Sequence, residues 1–127
     1  MNRKEFSDLL NHIAQAWSRR DHSEVLKAFA PDVHYADPLR YSFKSKDELK
    51  EFFGPDNSGP LQQCVIHLTL FDEESQIGAA EYTYIGHHQY RGVALIQLKD
   101  GFIIRWREYQ HIDTRSRTDF LSGTEFQ

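Results

Sequence analysis

A chain of 127 residues fits one domain with a respectable core and is short for two. Its formal net charge is −4, from 15 basic and 19 acidic residues without a block of like charge, which disfavours nucleic acid and anionic membrane surfaces as partners. No apolar run is long enough to cross a bilayer. The single cysteine, Cys64, rules out an internal disulfide framework. Together with a charged start, Met1 to Glu5, that has no apolar stretch of a secretory signal, it implies a reducing cytoplasm.

From Lys4 to Arg20, Phe6, Leu9, Leu10, Ile13, Ala16 and Trp17 recur at three- and four-residue spacing, which predicts an amphipathic helix. Ser23 is placed to cap a short second helix carrying Val25, Leu26, Ala28 and Phe29, and Pro31 to stop it. Alternation from Asp32 to Asp37 then sets Val33, Tyr35 and Asp37 on one face of a strand. Arg40 to Phe43 reads as a further short strand, and Ser45 with Glu48 as the start of a third helix ending at Phe53. Two prolines and two glycines between Gly54 and Pro60 require a loop, either an overhang on a pocket mouth or an ordinary connection. Four strands follow, near residues 62–71, 76–85, 90–98 and 102–112, with separators short enough for antiparallel hairpins. The expected organisation is one domain over residues 1–112 and a polar tail over 113–127, a candidate lid.

Phe29-Ala30-Pro31-Asp32 followed by Asp37-Pro38, with an amphipathic helix before and a glycine-punctuated sheet after, resembles the ketosteroid isomerase and polyketide-cyclase-like (SnoaL-like) branch of the nuclear transport factor 2-like superfamily. The resemblance runs from about Ser7 to Ile112 and includes Asp100-Gly101-Phe102-Ile103 and Arg107-Glu108-Tyr109. It implies an α+β cone, in which a curved, mostly antiparallel sheet wraps three helices around an apolar cavity. It also implies homodimerisation through the convex face of the sheet, and a general base at the acid before the proline, here Asp37. The positions where the isomerases carry their two oxyanion donors correspond to Ile13 and approximately Ala94, neither of which can donate a hydrogen bond. Steroid isomerisation by that route is therefore not expected.

Strand parity assigns the rest of the site. In the last strand Phe102, Ile104, Trp106, Glu108, Gln110 and Ile112 form the more apolar set and should face the helices, bringing Glu108 inward as a second carboxylate beside Asp37. With Tyr82 and Tyr84, which the resemblance matches to positions lining the isomerase cavity, the expected pocket holds Tyr35, Asp37, Tyr82, Tyr84, Trp106 and Glu108, walled by Ile13, Trp17 and Phe53. Asp37 and Glu108 are the candidate catalytic pair for a proton-transfer isomerase, lyase or cyclase on a small apolar or aromatic molecule. Two other assignments stand beside these: Asp37 as an acceptor for its own Asp-Pro turn, and Glu108 as a structural partner of a Tyr or Arg. With them goes a non-catalytic binding or dimerisation module on the same fold. Adjacent His87 and His88 point oppositely on a strand, and neither a metal nor a cofactor is expected.

Overall fold

The computed structural model describes residues 1–126. Helix α1 (Arg3–Ser18) opens on a capping box, in which the Asn2 side chain accepts from the Glu5 N–H and the Glu5 carboxylate accepts from the Asn2 N–H. Its inner face buries Phe6, Leu10, Ile13, Ala14 and Ala16. Helix α2 (His22–Leu26) is capped by Asp21, two residues earlier than the serine expected, because the Ser23 amide and hydroxyl both donate to Asp56 at 2.8 and 2.7 Å. The helix also ends before Pro31. The Ile103 N–H takes the Ala28 carbonyl at 2.8 Å and draws the chain into strand β1 (Phe29–Asp37).

Strand β2 (Tyr41–Phe43) folds back on β1, and α3 (Lys46–Phe53) starts at Ser45, whose hydroxyl accepts from the Glu48 N–H. Strands β3 (Gln63–Asp72), β4 (Ile77–Ile85), β5 (Gln89–Lys99) and β6 (Phe102–Ile112) form an antiparallel meander. The curved sheet runs β2-β1-β6-β5-β4-β3, so the first strand lies parallel beside the last. That pairing brings the helical front of the chain over the sheet and closes the expected α+β cone. Gly78 marks how close α1 comes: a Cβ there would lie 2.6 Å from both the Leu70 carbonyl oxygen and the Phe6 ring, which is stacked on Phe71.

One irregularity changes the parity expected for β6. Ile103 pairs with Leu98 and Arg105 with Gln97, leaving Ile104 as an extra residue. Upstream of it the faces are exchanged: Ile103 is fully buried and Phe102 is 49% exposed. Downstream the expected phase holds, with Trp106 and Glu108 buried on the concave side. A second bulge at His67 does the same in β3, so that Cys64, Ile66 and then Phe71 face inward.

Residues 113–120 of the tail pack against the sheet. The Asp113 N–H donates to the Gln89 carbonyl at 2.8 Å, and Arg115 grips the Asp113 carboxylate at 3.0 and 2.7 Å, holding its pKa down at about 2. A one-turn helix α4 (Arg117–Phe120) then buries Phe120 completely, its ring 5.5 Å below the Arg91 guanidinium. Arg91 neighbours Gly92, whose face of β5 meets Tyr82 and the cavity, so Phe120 packs on the opposite, convex side. Among the described residues, none of the tail lines the cavity described next.

Candidate functional site

A cavity of about 370 Å³ lies between the concave sheet, the end of α1, α3 and the 54–60 loop. Trp17, Tyr35, Phe53, Tyr82, Tyr84, Trp106 and Glu108 all line it, as does the loop through Ser58, Gly59 and Pro60. Ile13 and Asp37 do not. Ile13 is consumed by core packing at 1% exposure, one turn of α1 short of Trp17.

Asp37 faces inward as alternation predicts and is buried, yet its oxygens are turned to its own loop. Oδ1 accepts from the Leu39 N–H at 3.0 Å, and Oδ2 from Arg40 Nε and Nη2, both at 2.8 Å. The expectation of Asp37 as a cavity base is corrected here. The Asp37-Pro38-Leu39-Arg40 turn offers a backbone amide two residues on and a guanidinium three residues on, and these two take both carboxylate oxygens.

The cavity's carboxylate is Glu108. Its Oε1 accepts from the Tyr35 hydroxyl and the Trp106 indole N–H, each at 2.8 Å. Its Oε2 accepts from Gln110 Nε2 at 3.0 Å and from the Tyr41 hydroxyl. Burial pushes the Glu108 pKa above the ordinary 4.5, and the donations from Tyr41, Tyr35 and Trp106 work against that rise. The same burial, with Glu108 nearby, raises the phenols of Tyr35, Tyr41 and Tyr82 above their usual range and the Cys64 thiol to about 12.

Rings fix these groups in place. Tyr35 is stacked between Trp106, with centroids 5.5 Å apart, and Tyr41 at 6.4 Å. Trp17 meets the edges of Trp106 and Phe53 at 5.8 and 5.6 Å. Two buried polar atoms on the wall lack a partner among the described residues: the Tyr82 hydroxyl and Gln62 Oε1. Gln62 Nε2, by contrast, donates to the Tyr84 hydroxyl at 2.8 Å. Sequence reasoning missed Tyr41 and Gln62. Tyr41 carries a signal that could have found it, since it shares a strand face with Phe43 opposite Tyr35 and Asp37.

A six-stranded curved sheet wrapped on helices, with a pocket at the mouth, defines a nuclear transport factor 2-like protein. Residues 10–106 match the SnoaL-like domain, and the chain belongs to that family. No curated protein matches it by sequence. Among solved structures it is similar to an LEH-like epoxide hydrolase of M. tuberculosis, with TM-score 0.73, 18% identity, and 85% of this chain and 84% of that one covered. A candidate polyketide cyclase of Xanthomonas campestris gives TM-score 0.72 at 18% identity, covering 98% and 100%. A protein of Catenulispora acidiphila with a ketosteroid isomerase-like fold, solved in complex with trimethylamine, gives 0.68 at 15%, covering 80% and 83%. At these identities the likeness is one of fold.

Proposed function

We propose that this chain binds a small molecule with an apolar body in the aromatic cavity, with Glu108 and Tyr82 as its polar pole. The observation that carries this reading is the Tyr82 hydroxyl, which is buried against the cavity without a hydrogen-bond partner among the described residues. An orphaned buried hydroxyl costs about 1–3 kcal/mol, which a bound molecule recovers by pairing with it. A cavity of about 370 Å³ lies at the small end of ligand sites. The trimethylamine held by the C. acidiphila protein supports an occupant of modest size on this fold.

Trp17 and Trp106 both touch the cavity, so tryptophan fluorescence reports its occupancy. Titration with a panel of small aromatic and alkyl compounds should give at least one saturable change. That compound at 100 times its Kd should add about 2.7 kcal/mol of stability in a melt. A flat response across the panel, with unmoved melting temperatures, would remove this reading.

A second reading is favoured by the raised pKa of Glu108, which gives a protonated carboxyl at higher pH than usual: a general acid acting on the bound molecule. In either reading Asp37 serves to shape the rim through its pairing with Arg40.

The reading extends to pairing of two copies through the convex face, where Val93 and Tyr109 stand exposed opposite one another on β5 and β6. Light scattering at micromolar concentration should give twice the 14.9 kDa chain mass. A monomer there would exclude this arrangement.

A further inference from the structure

The cavity wall is unbalanced in both charge and hydrogen bonding. Arg40 lies on it, but its guanidinium is paired with Asp37 at 2.8 Å, so the two cancel. His22 turns its Nδ1 to the carbonyls of Gly54 and Pro55, both at 3.1 Å, and His87 sits at the exposed end of the β4–β5 hairpin. The four groups bonded to Glu108 are neutral donors that fill both lone pairs of each oxygen while leaving its charge uncancelled. An ionised Glu108 therefore has no cation beside it among the described residues.

The unpartnered atoms add to this imbalance. Gln62 Oε1 can only accept, and the Tyr82 hydroxyl can accept as well as donate. The cavity thus offers an anion, a spare amide acceptor and a free hydroxyl within walls of electron-rich rings. Ring faces attract cations within about 6 Å, most strongly where water is excluded.

Resting on the small-molecule reading above, we propose that the occupant is a small organic cation: an alkylammonium whose charge lies among the rings near Glu108 and whose own donor meets Gln62 or Tyr82. A neutral molecule of the same shape fills the space but leaves the buried carboxylate uncompensated. An anion of that size is repelled.

The probes are choline and its neutral carbon isostere 3,3-dimethylbutan-1-ol, which share shape and hydroxyl and differ by one charge. With the full chain at pH 8 and low salt, titrations followed by tryptophan fluorescence should show choline binding at least tenfold more tightly than the alcohol. Glu108→Gln should bring the two within about twofold. Equal or tighter binding of the alcohol to the wild type overturns the cation assignment while leaving the cavity reading intact. A preference for choline that survives Glu108→Gln overturns the role given to Glu108. If neither probe changes the fluorescence, while other compounds of the wider panel do, the cation assignment fails alone; silence from the whole panel ends both readings. Should Glu108→Gln not fold, the wild-type comparison still decides between cation and neutral.

Discussion

Truncating Glu108 to alanine should lower stability by about 4 kcal/mol, because it strands the Tyr35 hydroxyl and the Trp106 indole N–H, two buried donors worth about 1–3 kcal/mol each. Glu108→Gln should be far milder. Its amide oxygen can keep the Trp106 and Tyr35 donations, while its amide nitrogen faces Tyr41 and Gln110, both of which can reverse to accept. The pH dependence has a definite sign. The folded-state pKa of Glu108 is raised above its ordinary 4.5, so its contribution to stability is fully present below 4.5 and is lost as pH rises through the folded value. Denaturant melts of wild type and Glu108→Gln between pH 4 and pH 8 should therefore show the variant gaining on the wild type as pH rises. A difference that shrinks with pH would mean that the four donations outweigh burial and that Glu108 is held as an anion.

What could be read from the sequence was whatever depended on local periodicity. The 3.6-residue pattern from Phe6 to Trp17 gave α1, and the short polar separators gave the β3 to β6 meander. Period-two alternation placed Trp106 and Glu108 on the concave face, and the family resemblance placed Tyr82 there. The failures mark where a nonlocal contact decided the outcome. The bulge at Ile104 follows from matching β6 against β5, and no residue in β6 announces it, so Ile103 and Phe102 were assigned to the wrong faces. The capping of α2 by Asp21 in place of Ser23 depended on Asp56, far along the chain. Asp37 is the instructive case: parity put its side chain on the correct face, but parity says nothing of which neighbour its oxygens choose. Similarly, the four donors to Glu108 come from β1, β2 and β6, which only the parallel β1–β6 pairing brings together.

Asp37→Ala should cost about 3 kcal/mol, since it removes a buried carboxylate that holds the Leu39 amide and the Arg40 guanidinium. The figure is no higher because the Arg40 side chain is 36% exposed and can rehydrate, and because Leu39 lies at the surface. Asp37→Asn keeps one acceptor for the Leu39 amide and loses the charged pairing, so about 1 kcal/mol and a fall of a few degrees in melting temperature are expected. A base held in an apolar pocket behaves in the opposite way, since the amide spares the burial of a charge and the fold should gain stability. A double-mutant cycle with Arg40→Gln separates the two cases. If the carboxylate serves its turn, Asp37→Asn should cost measurably less in the Arg40→Gln background than in the wild type, with a coupling energy of about 1 kcal/mol. Additive effects, or a stabilised Asp37→Asn, would return Asp37 to consideration as a proton acceptor and weaken the case for Glu108 as the only acid that the cavity uses.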